Sequence, residues 1–193
     1  MPRVSESHLE ARRRQILDAA RTAFARYGFE GATVRVLEEG AGLSRGAIFH
    51  HFEDKDALFL ALAEADVEEM AHTVAAHGLV QVMRELIVRP DEGWLGTQLE
   101  ISRRLRTDTE FRTTWAQRSS AVSIATRERL QRQRDAGKLR DDVDIEVLAS
   151  YLELVLEGLV THLATGLPAD RFGVVLDLVE SSVRRDSLVE RTQ

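Results

Sequence analysis

The chain has 193 residues, of which 44% are hydrophobic and 30% are charged, a composition typical of a globular rather than a disordered protein. It contains no cysteine, which excludes disulfides, thiolate zinc sites and cysteine nucleophiles. No uninterrupted apolar run approaches the ~18 residues that a membrane span needs, and no apolar stretch follows the basic N-terminus, so we expect a cytoplasmic protein.

The net charge of −6 is unevenly distributed along the chain. Residues 1–50 hold eight arginines and six acidic residues, a net charge of +2, whereas residues 51–193 hold eighteen basic and twenty-six acidic residues, a net charge of −8. This asymmetry indicates an N-terminal part that tolerates phosphates, joined to an acidic part that does not.

Helical periodicity recurs along the chain and strand alternation does not, which predicts an all-α fold of about nine helices. The first helix is predicted to stop at Gly28, and the second to span residues 33–41 and end at Gly42. Ser44 is a suitable N-cap for a third helix with the sequence RGAIFHH, and Asp54 for a long fourth helix.

Further helix breaks are predicted at Gly78, at residues 90–93, near Thr107, at Gly137 and at residues 166–168. Residues 107–110 read TDTE, which has the spacing of a capping box. A helix is therefore predicted to start at Thr107.

Two short helices joined by Ala41-Gly42-Leu43 have the layout of a helix-turn-helix, in which the second helix can enter the major groove of DNA. The residues are more specific than the layout. The stretch GFEGATVRVLEEGAGLSRGAIFHHFEDKDALFLAL resembles the DNA-binding signature of the TetR family of one-component transcriptional regulators, and the match covers Gly42, Ser44, Gly46, Phe49, His51, Phe52, Lys55 and Leu58. The resemblance implies a helix-turn-helix domain of three helices at residues 1–54. It also implies a helical effector-binding and dimerisation domain at residues 55–193, and a regulator rather than an enzyme.

The resemblance also implies roles in DNA binding. Thr33 and Lys55, at helix starts, would contact phosphate oxygens, and Ser44 and Gly46 belong to the leading turn of the recognition helix. Arg45 can form a bidentate bond to guanine, which is worth roughly 1–3 kcal/mol of discrimination between bases. Arg35 would add a phosphate or base contact from the second helix.

Three further positions in this signature are predicted to lie at the DNA. The family usually has tyrosine where this chain has Phe49, so the hydroxyl that would bind a phosphate is missing. His50 is assigned to a base or phosphate contact, and His51 either contacts the DNA backbone or packs locally against Phe52. Adjacent helical residues point about 100° apart, so the two histidines are poorly arranged to share one metal ion.

The resemblance also implies a homodimer interface built from the last two helices. Apolar residues recur at helical spacing there, as such an interface requires, although the core of a monomer would explain them equally. The two stripes are Leu148, Leu152, Val155, Leu159 and Leu163, followed by Phe172, Leu176, Val179 and Val183. A two-fold dimer would match a palindromic operator.

The resemblance implies that the middle helices enclose an effector pocket, and polar residues within otherwise apolar helix faces are the candidates to line it, because burying such groups unpaired is costly. Helical winding places six of them on such faces: Gln98, Ser102, Arg106, Arg118, Arg129 and His162. Three arginines in this set favour a small polyanionic ligand, since guanidinium groups pair bidentately with carboxylates, although internal salt bridges or dimer contacts would also explain them. Glu100 and Arg104 fall outside the apolar face and are expected to form a solvated surface pair.

The segments LEISRRLRTD, DDVDIEVL and LDLVE resemble the branch of this family that represses aconitase genes in actinobacteria. That resemblance implies a citrate–magnesium effector, with Arg106 and Arg129 facing citrate carboxylates and Glu180 facing the metal ion. One protein carboxylate together with citrate would suffice, because Mg²⁺ usually keeps several waters.

Two other classes of protein remain open from the sequence. The spacing Glu69-x-x-His72 occurs in di-iron carboxylate enzymes, but such a site needs two of these motifs and two further glutamates, and we find one motif. A helical ligand carrier or scaffold without a DNA role is the second alternative.

Overall fold

A computed structural model describes residues 6–185, so the ends of the two predicted domains, residues 1–5 and 186–193, lie outside the described residues. Within the described part the chain forms ten helices: α1 (Glu6–Gly31), α2 (Val34–Ala41), α3 (Arg45–Phe49), α4 (Lys55–His77), α5 (Leu79–Val88), α6 (Glu92–Thr107), α7 (Thr109–Arg118), α8 (Ala121–Asp135), α9 (Ile145–Ala164) and α10 (Phe172–Val183). The strand-like pairing in this part is one isolated antiparallel bridge between Leu139 and Arg184. The predicted all-α fold is confirmed, with one helix more than the predicted nine or so.

The predicted glycine breaks follow from backbone conformation. Gly28 has φ +68° and interrupts α1, which resumes for three residues, while Gly42, Gly78, Gly137 and Gly166 also have positive φ. The additional helix comes from a break at residues 119–120, between α7 and α8, where the sequence has two serines and neither glycine nor proline.

The predicted caps are confirmed at the first helices of the chain. The side chain of Thr33 accepts a hydrogen bond from the backbone N–H of Val36, and that of Ser44 accepts one from Ala47. A carboxylate oxygen of Asp54 accepts a hydrogen bond of 2.7 Å from the N–H of Ala57. Each contact satisfies a backbone donor that a helix start leaves without an intrahelical partner.

Two predicted helix limits are wrong. The third helix ends at Phe49 rather than including both histidines, and residue 50 is its C-cap. The helix predicted to start at Thr107 starts at Thr109, because the carboxylate of Asp108, and not Thr107, accepts a hydrogen bond of 2.9 Å from the N–H of Phe111. The hydroxyl of Thr107 instead donates to the carbonyl of Arg103 in the preceding helix.

The chain divides into two compact units. The first unit comprises residues 6–66 and Asp91–Arg118, and the second comprises Val67–Pro90 and residues 119–185. Helix α4 is continuous from Lys55 to His77 and contributes residues to both units. This division into two units reflects packing alone. The predicted functional boundary between residues 54 and 55 is a different division and stays a prediction.

An aromatic cluster lies in the core of the first unit. The ring centroids of Phe24 and Phe59 are 5.0 Å apart, Phe29 stands 5.5 Å from Phe59, and Phe111 follows at 5.7 Å from Phe59. Each of these side chains is buried, so the cluster joins α1, α4 and α7 through apolar burial and edge-to-face contact.

The second unit has its own apolar core, built from the end of α4 with α5, α8, α9 and α10. Most of the residues predicted for the dimer interface belong to this core instead: Leu148, Leu152, Leu159, Leu176, Val179 and Val183 are buried within the chain. The alternative of a monomer core is correct for these six positions. The exposed apolar residues of α9 and α10 lie on other faces of the same helices.

Helix α9 is long and apolar enough to cross a membrane by length and composition, with a mean hydropathy of 1.4. It packs against α8 and α5 of the second unit. Core helices of soluble proteins meet the same criteria, so a single helix of this kind is weak evidence for a membrane span.

Candidate nucleic-acid interface and effector cavity

The helix-turn-helix in the first unit is held by a small set of buried apolar side chains. Leu37 and Ala41 of α2 and Ile48 of α3 are buried, and each is at most 4% exposed. Gly42 between the helices has φ +63° and ψ +31°, a left-handed conformation that favours glycine. The turn at Gly42 and these three buried side chains together hold α3 against α2.

A hydrogen bond between the two helices also holds the start of α3. A carboxylate oxygen of Glu38 accepts a hydrogen bond of 2.6 Å from the backbone N–H of Arg45. Ser44, Arg45 and Gly46 are exposed, so the leading turn of α3 faces outward. This arrangement can present Arg45 to a base edge in the major groove.

Gly46 lies in this exposed turn, and its lack of a side chain is not required by packing. A Cβ atom added there would have no heavy atom of the protein within 4 Å. Since glycine inside a helix weakens it by roughly 0.5–1 kcal/mol relative to alanine, its presence here favours close approach by another molecule.

Two arginines predicted to contact DNA lie at the starts of α2 and α3. The guanidinium carbon of Arg45 is 6.0 Å from the ring centroid of Phe49, which is half-buried against the core. Arg35 pairs with Glu39 at 2.8 Å on the exposed face of α2, and this contact raises the pKa of Arg35 above its ordinary value. Both side chains are exposed and stay candidates for DNA contact.

Lys55 is already engaged within the first unit. Its ammonium donates a hydrogen bond of 2.8 Å to the carbonyl of Phe29 and lies 4.3 Å from the centroid of the Phe29 ring. An ammonium has three donors, so this contact leaves capacity for a phosphate oxygen.

The two histidines that follow α3 differ in exposure. His50 is exposed and His51 is half-buried, with ring centroids 5.6 Å apart and an interplanar angle of 79°. Burial is the main cause that lowers the pKa of His51 below its ordinary value, and the positive charges of His50, Arg13 and Arg12 lower it further. His51 therefore packs locally and His50 lies outward, and the roles of both histidines in DNA binding stay predictions.

The predicted surface pair of Glu100 and Arg104 is wrong. Glu100 is 7% exposed and pairs with Arg103 at 2.6 Å, whereas Arg104 is 6% exposed and pairs with Asp56 at 2.7 Å and Asp108 at 2.6 Å. Both side chains are buried because α6 packs against α1 and α7. Helical winding of one segment does not show which other helices will cover it.

The Arg104 guanidinium is also surrounded by aromatic rings. Its central carbon lies 4.0 Å from the centroid of Phe29 and 4.4 Å from that of Phe111. Nη1 of this group is buried without a hydrogen-bond partner. Arg104 therefore joins the start of α4, through Asp56, to the aromatic cluster and to the start of α7.

A cavity of about 830 Å³ lies within the second unit. Five cationic side chains and one carboxylate line it, along with several amide and apolar groups; the charged members are Arg84, Arg129, Lys138, Arg184, Arg185 and Glu180. The bridge between Leu139 and Arg184 and the hydrogen bond from the N–H of Arg185 to the carbonyl of Lys138 bring the last described segment to this cavity. An excess of positive charge here contrasts with the acidic remainder of the chain.

Arg129, which is predicted to bind the effector, caps the C-terminal end of α4. Its Nη1 donates hydrogen bonds of 3.0 Å to the carbonyl of Ala75 and 2.8 Å to that of Ala76. A Cβ atom added at Gly78, which has φ +87°, would stand 2.7 Å from Nε of Arg129. The glycine that ends α4 thus leaves room for the guanidinium.

Glu180 stands between two arginines of the same unit. Its carboxylate accepts a hydrogen bond of 2.9 Å from Arg84 and a short one from Arg184. The hydrogen bond from Arg84 is the main cause that lowers the pKa of Glu180; partial burial opposes it and Arg184 lowers it further. The group is therefore ionised at neutral pH, as a cation ligand must be.

The structure brings Arg129 and Glu180 to one cavity, and the other predicted effector residues lie elsewhere. Nε2 of His162 is 2.9 Å from the carbonyl of Pro168, and the imidazole packs on Phe172. In the first unit Arg118 pairs with Glu64 at 2.6 Å, Gln98 is half-buried on α6, and Ser102 and Arg106 are exposed. Their role in ligand binding stays a prediction.

The sequence matches the profile of bacterial regulatory proteins of the tetR family over residues 16–62, which cover most of α1, the helix-turn-helix and the start of α4. It is 57% identical over 186 residues to the HTH-type transcriptional repressor Rv1474c of Mycobacterium tuberculosis, covering 96% of this chain and 100% of that protein. The chain belongs to the TetR family.

The HTH-type transcriptional repressor AcnR of Corynebacterium diphtheriae is 54% identical over 185 residues, with 95% of this chain and 97% of that protein covered. The fold also matches solved structures of the family. Salmonella enterica GusR has a TM-score of 0.73 at 20% identity, covering 94% of this chain and 98% of that one. SmeT, the repressor of the Stenotrophomonas maltophilia multidrug efflux pump SmeDEF, has a TM-score of 0.66 at 23% identity, with 91% of each chain covered.

These relatives identify the chain as a transcriptional repressor of the TetR type and not an enzyme. Regulators of this family bind operator DNA, act as dimers, respond to small-molecule ligands and need no cofactor. The cationic residues Arg84, Lys138, Arg184 and Arg185 were missed by sequence reasoning. The signal available for Arg84 was a charged residue inside the apolar helix LVQVMRELIV. Lys138, Arg184 and Arg185 are brought to the cavity by the bridge between Leu139 and Arg184.

Proposed function

We propose that this TetR-type repressor binds a palindromic operator as a homodimer in the cytoplasm, and that citrate with magnesium, held in the cavity of the second unit, changes its affinity for DNA. The target is an aconitase gene, as the resemblance to the aconitase-repressor branch implies. The observation that carries the effector assignment is the cavity in which five cations face one carboxylate.

DNA recognition rests on the exposed leading turn of α3. Arg45 is exposed there, and its backbone N–H is held by Glu38. Substituting Arg45→Ala removes a candidate base contact without touching the buried residues of the motif. We expect reduced discrimination between the operator and a scrambled duplex, by roughly 1–3 kcal/mol, with unchanged thermal stability.

The dimer assignment rests on apolar side chains that α9 and α10 leave exposed. Val147, Tyr151 and Leu154 recur at helical spacing on α9 and are 57%, 36% and 68% exposed. On α10, Val174 and Leu178 are 65% and 66% exposed. Exposed apolar patches on two helices of one unit are typical of subunit interfaces.

The oligomeric state tests this assignment. Leu154→Glu places a carboxylate in the proposed interface and should give a monomer in sedimentation experiments, together with loss of operator binding. Val88→Glu is the matched control, because Val88 is 74% exposed on α5. A dimer that survives Leu154→Glu and Leu178→Glu together would exclude this interface.

The effector assignment follows from charge and from the donors in the cavity. Arg129, Arg84 and Lys138 supply guanidinium and ammonium donors that pair with carboxylates, and the lining otherwise holds little negative charge. A compact tricarboxylate fits the volume, which is within the range of roughly 300–1,000 Å³ of small-molecule sites.

Magnesium would be bound in this cavity by citrate and Glu180 together, with Glu180 giving up one of its guanidinium partners, Arg84 or Arg184. Within residues 6–185 no group of three or more histidine or acidic side chains is arranged to hold a metal ion. Glu180 is an ionised oxygen ligand, and Mg²⁺ is commonly held by one or two carboxylates with its remaining positions on water or ligand oxygens. The ion would neutralise part of the citrate charge beside Glu180.

Arg129 provides a route from the ligand to the DNA-binding part. Its guanidinium binds the carbonyls of Ala75 and Ala76 at the end of α4, and the same helix begins at Lys55, six residues after the recognition helix ends. Citrate would compete with these carbonyls for Arg129, so the conformation of the end of α4 and ligand binding become linked. Such linkage commonly amounts to roughly 1–3 kcal/mol, or a change of about 5–150-fold in affinity.

Titration of citrate into an operator-bound sample, with and without Mg²⁺, tests the effector. We expect a change in operator affinity that requires Mg²⁺ and disappears in Arg129→Gln. Arg127→Gln is the matched control, since Arg127 lies on the same helix, pairs with Glu146 rather than with the end of α4, and is not part of the cavity lining. An operator affinity that does not change at saturating citrate and Mg²⁺ would remove citrate as the effector.

The operator and the target gene can be identified directly from genomic DNA. Sequencing the genomic fragments that the purified protein retains should recover a palindrome upstream of an aconitase gene. A chain that retains no fragment would instead be a helical ligand carrier without a DNA role.

A further inference from the structure

Two arginines of α1 lie against the helix-turn-helix close to the end of the recognition helix. The guanidinium carbon of Arg13 is 4.6 Å from the ring centroid of Phe52, the buried residue that directly follows His51. Arg12 donates a hydrogen bond of 3.1 Å to the side-chain oxygen of Gln15.

The same glutamine anchors this part of α1 to the turn of the motif. Nε2 of Gln15 donates a hydrogen bond of 2.8 Å to the carbonyl of Ala41, the last residue of α2. Residues 12–15 of α1 are thereby held between the turn before α3 and the residues after it.

We call Arg12, Arg13, His50 and His51 the basic edge. Arg12, Arg13 and His50 are exposed, and within residues 6–185 neither arginine forms an ion pair. Unpaired like charges repel one another, and an anion placed between them would relieve the repulsion. A duplex bound to the exposed start of α3 would carry its phosphates past neighbouring surfaces of the motif.

We propose that the basic edge is a second phosphate-binding surface beside the recognition helix, and that it takes up protons when duplex DNA binds. The proposal rests on the proposed DNA-binding function. It adds Arg12 and Arg13 of α1 to the residues that contact the operator and makes operator affinity depend on pH.

The direction of the pH dependence follows from the charges around His51. Arg12 and Arg13 face it from α1 and His50 from its own turn, and together with burial they lower the pKa of His51 in the free protein. Two acidic residues follow in the chain, Glu53, which is exposed, and Asp54, which caps α4 through Ala57, and neither is among the causes of this lowered pKa. A bound phosphate raises the pKa of a neighbouring histidine. DNA binding therefore favours the protonated form of His51, and operator affinity rises as the pH falls from about 8 to about 6.

Salt and pH titrations of labelled duplex test the proposal. The probe is a fluorescein-labelled duplex carrying the tightest sequence that the protein selects from random DNA. Each phosphate contact contributes about 0.9 to the slope of log affinity against log salt concentration. Arg12→Gln or Arg13→Gln should therefore make the slope shallower by about one per protomer, and weaken binding to operator and scrambled duplex alike. Arg26→Gln is the matched control, because Arg26 is exposed on the same helix, about 20 Å along its axis from Arg13.

The pH arm uses the same duplex between about pH 8 and about pH 6. A rise of one unit in the pKa of a histidine on binding changes the affinity by up to about tenfold, and the variant His50→Gln with His51→Gln should lose this dependence. Unchanged salt slopes in Arg12→Gln and Arg13→Gln, or a pH dependence that persists without the histidines, would overturn the basic edge while leaving the proposed function intact. Wild-type protein that selects no duplex would overturn both.

Discussion

The ammonium of Lys55 donates a hydrogen bond of 2.8 Å to the carbonyl of Phe29 and lies over the ring of the same residue. This contact ties the first residue of α4 to the last turn of α1 and holds the ammonium beside the helix-turn-helix. The family resemblance assigns Lys55 to a phosphate contact, and the structure adds a second role in the free protein.

Both roles of Lys55 are removed by Lys55→Met, which keeps most of the apolar stem. Loss of the hydrogen bond and the cation–π contact should lower the free energy of unfolding by about 1 kcal/mol in urea titrations. Operator affinity should fall further than this stability change explains, with a shallower salt dependence because a phosphate contact is lost. A salt slope equal to that of the wild type would assign Lys55 to a structural role alone.

Gly46 offers a substitution that separates folding from DNA binding. A Cβ atom at this position meets no heavy atom of the protein within 4 Å, and alanine is favoured over glycine inside a helix. Gly46→Ala should therefore stabilise the fold by up to about 1 kcal/mol in urea titrations. If α3 enters the major groove with this turn leading, the added methyl group should reduce operator affinity by at least about tenfold. Unchanged affinity in the stabilised variant would indicate that this turn does not approach DNA closely.

Much of the N-terminal part could be predicted from sequence because it depends on contacts between near neighbours. The caps Thr33 and Ser44 bind backbone groups three residues away, and Gly42 adopts the left-handed turn that its position requires. Interactions of this kind are encoded in a short window of sequence, and so is the signature of the family.

The errors occur where residues distant in sequence determine the environment. Helical winding placed Arg104 on the solvated side of α6, but the rings of Phe29 and Phe111 surround its guanidinium. Likewise, the cavity of the second unit receives Arg84 from α5 and Arg184 from the end of α10. The sequence period does not show which face of a helix another helix will cover, so the burial of Arg104 was missed and the cationic lining of the cavity was predicted only in part.

Arg104 should be sensitive to a change that preserves its charge. Its planar guanidinium contacts two rings and two carboxylates, and a lysine ammonium cannot stack in the same way. Asp56 is 60% exposed and can be rehydrated, so we expect Arg104→Lys to lower the free energy of unfolding by about 1–3 kcal/mol rather than more.

The adjacent residue provides the control for this measurement. Arg103 is 40% exposed and pairs with Glu100 at 2.6 Å, and Arg103→Lys keeps a cation within reach of that carboxylate. We expect a smaller loss for Arg103→Lys than for Arg104→Lys in parallel urea titrations. Equal losses would show that the aromatic contacts of Arg104 contribute little.

The ion pairs of Glu180 predict a specific response of stability to acid. The hydrogen bond from Arg84 lowers the pKa of Glu180 in the folded chain below the value of about 4.3 in an unfolded one. A carboxyl group with a lowered pKa contributes stability that is fully present above its unfolded pKa and is lost as the pH falls through the folded pKa. Thermal unfolding of the wild type should therefore shift to lower temperature as the pH falls below about 4.3, and Glu180→Gln should flatten this dependence.

The control for this acid response is Glu85→Gln, because Glu85 lies on α5, accepts a hydrogen bond from Gln81 and pairs with no arginine within residues 6–185. This variant should keep the acid dependence of the wild type, since the carboxylate that it removes is not held by a guanidinium. An acid limb that is equally steep in Glu180→Gln and in the wild type would mean that the arginines do not hold the Glu180 carboxylate in solution. Glu180 would then be free to meet a ligand without first giving up its partners.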